Sequence, residues 1–257
     1  MSFYELWISF STIVIKEVRR FLRIWVQTLI PPIITMALYF VIFGNLIGRR
    51  VGEMGGFDYV AYIVPGLIMM SVITNSYSNV VSSFYSAKFQ NQIEEVLVSP
   101  TPNFLILVGY IVGGVARGLI VGFIVTLVSL FFTDLHIAHV GIMLSVVVLT
   151  SILFALAGFL NAIYAKNFDD ISIIPNFVLT PLTYLGGVFY SIDLLPEFWR
   201  NLSLINPILY MVNAFRFGVL GVSDIDVVTA FGVIMLFILA FFVLGLYLLK
   251  HSKGLRS

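Results

Sequence analysis

The chain has 257 residues, 60% hydrophobic and 11% charged, with a mean hydropathy of +1.05 and a formal net charge of +1. No water-soluble domain carries that composition without exposing large apolar patches, so it implies an integral membrane protein, and the balanced charge gives no reason to expect a nucleic-acid partner. The absence of cysteine excludes disulfides, thiolate catalysis and Cys-based metal sites.

Taken in order, residues 3–23 carry an apolar stripe of Trp7, Phe10, Val14, Val18 and Phe21, with Lys16, Arg20 and Arg23 on the other side and Arg19 nearby. That pattern predicts an interfacial helix lying on an anionic leaflet, its cations drawn to lipid phosphate. Met1 to Glu5 has no basic segment of the kind that opens a secretory signal. A first span is expected over residues 24–47, bent or delayed by Pro31 and Pro32, followed by a glycine-rich loop with Arg49, Arg50 and Glu53.

The second span, 59–84, contains no acidic residue, and Ser71, Asn75, Ser78, Asn79 and Ser82 recur along it at helical spacing. Such a face points at protein or water rather than at acyl chains. Interhelical hydrogen bonds, at about 0.6 kcal/mol each, and the lining of a substrate path both account for it.

Lys88 to Pro102, KFQNQIEEVLVSPTP, is a polar island between two apolar runs. As a helix over 88–98 it places Phe89, Ile93, Val96 and Leu97 on one face, with Glu94 and Glu95 among the polar residues around the rest. Pro100 then stops it. A short helix held at both ends by spans is suited to receive a push from a soluble partner; a connector resting on the headgroups fits the same pattern.

The third span, 104–132, holds Arg117 near its centre, where a guanidinium costs about 2.5–3.5 kcal/mol and must find a partner, a carbonyl or a wet cavity. Gly114, Gly118 and Gly122 let a neighbouring backbone come close. His136 and His139 with Asp134 could hold a metal, but no third firm ligand accompanies them and a solvated turn fits better. Spans over 141–164 and 171–192 follow, the latter broken by Pro175 and Pro181 and then by Gly186 and Gly187. From Asp193 to Asp226 the pattern loses its regularity and reads as re-entrant or interfacial helices, and 227–249 is the sixth span.

With both termini on the cytoplasmic side, the inner segments hold Lys16, Arg19, Arg20, Arg23, Lys88, Lys166, Lys250, Lys253 and Arg256, against Arg49, Arg50, Arg200 and Arg216 outside. That distribution obeys the positive-inside rule. No G-x-x-x-x-G-K-[ST] occurs, so no nucleotide site of that type is expected in this chain, and no hydrolase motif lies in a span. A gradient-driven carrier usually places carboxylates near the midplane, whereas here Asp and Glu are expected only in loops or at span ends. That carrier remains the alternative, with a non-transporting scaffold as a third class.

The basic N-terminal elbow, the island ending EEVLVSP at Glu94 to Pro100, and the later series Pro181, Gly186-Gly187-Val188-Phe189-Tyr190, Leu195-Pro196, Asn206-Pro207 and Tyr210 together resemble the ABC-2 type permease family. The likeness runs over essentially the whole chain. It implies an all-α membrane protein of six transmembrane helices, a homodimer joined to two copies of a soluble ATPase, in a bacterial inner membrane. ATP and Mg would be bound by that ATPase, with no cofactor in this chain, which would not itself be an enzyme but would export a hydrophobic, drug-like or lipid-linked substrate. Phe89, Ile93, Glu94, Glu95 and Leu97 would belong to the coupling helix. Pro181, Gly186, Gly187, Tyr190, Pro207 and Tyr210 would belong to the outer gate, in re-entrant helices over 181–210. Ser71, Asn75, Asn79 and Arg117 remain candidates for the path or for packing.

Overall fold

A computed structural model describes residues 2–135 and 137–251. Lys253, Arg256 and His136, used in the sequence reading, lie outside the described residues, as do the side chains of Asn45 and Arg49.

Helix α1, Phe3–Arg23, opens with a capping box in which the Glu5 amide donates to Ser2 Oγ at 3.3 Å and the Ser2 amide donates to Glu5 Oε2 at 2.7 Å. Helix α2, Trp25–Gly48, continues unbroken through Pro31 and Pro32 and finishes in π-helical turns over Phe40–Gly48. A two-residue hairpin pairs Glu53–Met54 with Phe57–Asp58; Gly55 and Gly56 make its turn at φ of 59° and 80°, conformations that a side chain would resist.

Helix α3, Tyr59–Phe89, is the axis of the molecule and is buried along nearly its whole length. It packs on α5, Asn103–Ser129, and α6, Val140–Tyr164. Close approach explains the glycines: a Cβ on Gly158 would stand 2.5 Å from the Tyr77 carbonyl oxygen, and one on Gly114 would stand 2.6 Å from Val80 and 2.9 Å from Ala155. Between α3 and α5 lies the short α4, Gln92–Val98.

The expected fifth span is shorter than 171–192. Helix α7 runs through Asp170–Ile174, a π-helical Pro175–Leu179 and Thr180–Leu185, then unwinds at Gly186, because Gly187 takes a φ of 69°. Its sixteen residues extend about 24 Å, below the roughly 30 Å of a bilayer core. Helices α8, Glu197–Ile205, and α9, Pro207–Leu220, then meet at 89° across Asn206 and Pro207. Asn206 caps α9, accepting from the Ile208 amide at 3.0 Å. Helix α10, Val227–His251, packs on α6 and α9. Among the described residues five helices are long and apolar enough to cross a membrane, or six if the bent α8–α9 pair is one span.

Candidate functional site

Two guanidinium groups converge on the polar face of α3. Arg20 of α1 donates through Nη2 to the Asn79 carbonyl oxygen at 2.7 Å and to Asn79 Oδ1 at 2.9 Å, and through Nη1 to Ser82 Oγ at 3.4 Å. One turn along α3, Arg117 of α5 donates through Nη2 to Asn75 Oδ1 at 2.9 Å, while Asn75 Nδ2 donates to the Ser71 carbonyl at 3.0 Å. The face recognised from its spacing therefore receives cations from two neighbouring helices.

Two expectations change here. Arg20 does not face lipid phosphate but turns into the bundle. The side of α1 that meets protein is Ile13, Glu17, Arg20 and Phe21, where Gly109 and Gly113 of α5 leave room for Ile13 and Glu17; Trp7 remains exposed. Nor are all carboxylates in loops or at span ends: Glu17 is fully buried, accepts from Ser83 Oγ at 2.7 Å and pairs with Arg20 Nε at 3.8 Å. Burial pushes its carboxyl above the usual range, against the opposing pull of the Ser83 bond, Arg20 and Lys16. An amphipathic pattern reports two faces without saying which one meets protein, so neither contact was foreseeable from it.

A cleft of about 290 Å³ opens between α2 and α3, floored by Arg117. Over Trp25–Tyr39, helix α2 is held by α5 and α1, and it meets α3 chiefly further on, through its π-helical turns, which leaves the gap. Ser71, Thr74, Asn75 and Ser78 line one wall; Gln27, Thr28 and Thr35 line the other. Asn79 stands outside it, with Arg20. A second cavity, of about 460 Å³, is nearly all apolar and carries one polar pair, Asn161 Nδ2 donating to Tyr77 Oη at 2.7 Å.

At the end of the bundle bearing α4, the sequence-predicted helix over 88–98 divides. Residues 88 and 89 complete α3, and Asn91 at φ 58° breaks the chain direction before Gln92. Phe89 is thus not on α4; its ring meets Phe168 edge-on at 5.1 Å. Ile93 is buried against the bundle, Val96 and Leu97 pack partly on it, Glu95 is exposed, and Val98 is 86% exposed. The outward apolar knob is Val98, which sequence reasoning passed over. Lys88 Nζ donates to the carbonyls of Ile163 at 2.6 Å and Ala165 at 2.9 Å, closing the C-terminus of α6 and tying it to α3.

At the opposite end, Arg216 is fully buried, not the solvated outer cation that charge counting implied. It donates to the Gly187 carbonyl and lies over the Tyr62 ring at 4.1 Å. Next to Gly187, Val188 is seated against Gly66 of α3, and Phe189 stacks on Phe43 of α2 at 4.7 Å. Tyr190 Oη donates to the Tyr184 carbonyl at 2.9 Å and Tyr210 Oη to the Leu204 carbonyl at 2.7 Å. Pro181 is exposed on α7, and Pro207 opens α9. Among the described residues no group of three or more His, Asp or Glu could hold a metal.

Residues 8–220 match the ABC-2 type transporter family. The chain is 59% identical over 251 residues, 98% of each chain, to the inner membrane transport permease YadH of Escherichia coli K12 and equally to that of Shigella flexneri. It is also 23% identical over 215 residues, 83% of each chain, to nodulation protein J of Rhizobium leguminosarum bv. viciae. With a transport permease matched nearly end to end and the family matched from α1 through α9, the chain belongs to the membrane-spanning ABC-2 type transporter family, as a permease component of an ABC transporter.

Proposed function

We propose that the chain is the membrane subunit of an ATP-driven exporter in a bacterial inner membrane, working as a pair of copies with two copies of a separate ATPase that binds ATP and Mg. In this reading both termini and α4 face the cytoplasm, and the cargo is a hydrophobic, drug-like or lipid-linked molecule. The observation that carries the proposal is how α4 is mounted. Ile93 is buried in the bundle while Glu95 and Val98 face outward, and Lys88 joins the adjoining end of α3 to α6.

A push on α4 is then passed to a stiff unit. Helices α3, α5 and α6 meet through glycine contacts that leave little room for sliding, so displacement at Val98 and Leu97 tilts them together against α2 and α7. Phe89, Ile93, Glu94, Glu95 and Leu97 supply the mount and rim of this coupling element. Ser71, Asn75, Asn79 and Arg117 border the path. The turn at Gly186, Gly187 and Tyr190, with Pro181, Pro207 and Tyr210, forms the gate at the far end.

The test is ATP-dependent export in inverted vesicles holding the chain and its partner ATPase. Val98→Asp and Leu97→Asp are expected to insert and assemble yet lose most export, with ATP hydrolysis no longer tied to cargo. Full export by both variants would overturn the coupling role. Full export without any ATPase would favour a gradient-driven carrier instead.

A further inference from the structure

The floor of the α2–α3 cleft is a cation with no anion beside it. Arg117 sits fourteen residues into α5 and twelve from its end, about 21 Å and 18 Å along the helix axis, which puts it near the middle of a bilayer core. Among the described residues no acidic side chain lines the cleft. The guanidinium has five N–H donors, one of which goes to Asn75, and its Nε is buried without a hydrogen-bond partner.

The neighbouring hydroxyls and the amide of α3 turn back on their own helix. Ser71 Oγ donates to the Leu67 carbonyl at 3.1 Å, Thr74 Oγ1 to the Met70 carbonyl at 2.9 Å, and Asn75 spends its amide on Ser71. The donors beyond these, on Gln27, Thr35 and Ser78, are neutral, so the charged donor of the cleft lining is Arg117. Charge at this depth is costly for protein and ligand alike, so an anion and this guanidinium each lower the other's cost by pairing. Asn75 and Asn79 are one turn apart on α3, so Arg20 stands about 6 Å nearer the α4 end on the same stripe.

We propose that the α2–α3 cleft binds the anionic group, phosphate or carboxylate, of an amphiphile, with Arg117 as its anchor and the acyl part left among the exposed apolar residues of α2. This rests on the reading of the α3 face as a transport path and gives that path a cargo class. Leu38 and Ile34 of α2, both more than half exposed, provide the apolar neighbourhood.

The test uses the full chain, purified in a neutral maltoside detergent without ATPase or gradient, and titrates dodecyl phosphate, dodecyltrimethylammonium and inorganic phosphate. Dodecyl phosphate is expected to bind at least tenfold more tightly than the cationic amphiphile. Arg117→Gln should weaken it tenfold or more, and Arg200→Gln, on the exposed α8, should leave it unchanged. Thr74→Trp, which fills the cleft while keeping Arg117 and Asn75, should weaken it comparably and covers the case in which Arg117→Gln fails to fold. Equal binding of the two amphiphiles, or wild-type affinity in Thr74→Trp, would overturn the site. Competition by inorganic phosphate as strong as that by dodecyl phosphate would overturn the amphiphile. Because binding is read without transport, a negative result here leaves the export assay to stand or fall on its own.

Discussion

Asn79 offers Arg20 two acceptors at once, its backbone carbonyl at 2.7 Å and its side-chain oxygen at 2.9 Å, and thereby fastens α1 to the central helix. The second arm of the guanidinium reaches Ser82 Oγ at 3.4 Å at the same time, a spread that the single nitrogen of an ammonium does not match. Asn79→Leu removes the side-chain acceptor at a buried position and is expected to cost about 1–3 kcal/mol. Arg20→Lys should cost a comparable amount. Thermal unfolding in detergent measures both, and a transition unmoved by either would mean that α1 is held by its apolar contacts alone.

Glu17, on a helix that is not among the candidate spans, couples folding to pH. Burial raises its carboxyl above the ordinary range, so the folded chain holds the proton more tightly than the unfolded chain does. The resulting stabilisation is fully present below the ordinary glutamate range and is lost as pH rises through the raised value. The wild-type unfolding midpoint should therefore fall as pH rises from the ordinary glutamate range through the raised value. Glu17→Gln should flatten the dependence while keeping the Ser83 contact, and an unchanged slope in that variant would assign the effect to another group.

The meeting of α3 and α6 tolerates no added atom at Gly158. A methyl group there would approach the Tyr77 carbonyl oxygen at 2.5 Å and the Val81 amide at 3.3 Å, and backbone cannot swing aside as a flexible side chain can. Gly158→Ala is expected to destabilise the chain by about 1–3 kcal/mol as the helices are forced apart. Gly232→Ala, on α10 with open space around it, should be neutral or slightly stabilising because alanine favours the helix. A smaller loss at Gly158 than at Gly232 would mean that the helices part easily.

Much of this arrangement was legible beforehand, and the exceptions share a cause. The polar stripe at Ser71, Asn75 and Asn79 follows from helical spacing alone, and the connector after Lys88 follows from a break in hydrophobicity. Both signals are local. What pattern could not supply was the partner across each face: Glu17 and Arg20 look like surface residues of an amphipathic helix until α3 and α5 are set against them. Arg216 likewise reads as a solvated loop cation, and its burial depends on Tyr62, more than 150 residues earlier. The left-handed turn at Asn91 was hidden because a single residue's φ leaves no periodic trace, and it moved Phe89 off the helix to which spacing had assigned it.

Arg216 also yields the sharpest prediction for the far end of the bundle. Its Nη2 is the donor to the Gly187 carbonyl, and its Cζ lies over the Tyr62 ring, so one side chain links α9, the turn after α7 and α3. Gly187 holds its left-handed φ of 69° within that clamp. Arg216→Met keeps volume but leaves a buried carbonyl without its partner, a loss of about 1–3 kcal/mol. Arg216→Lys keeps the charge but cannot stack its head flat on the ring while reaching the carbonyl, so it should rescue little. Hydrogen exchange of the amides from Gly186 to Ile192 reads this directly: faster exchange in both variants, with α3 and α5 unchanged, is the expected outcome. Uniform loosening of the whole bundle would show instead that Arg216 supports the fold at large and not the turn alone.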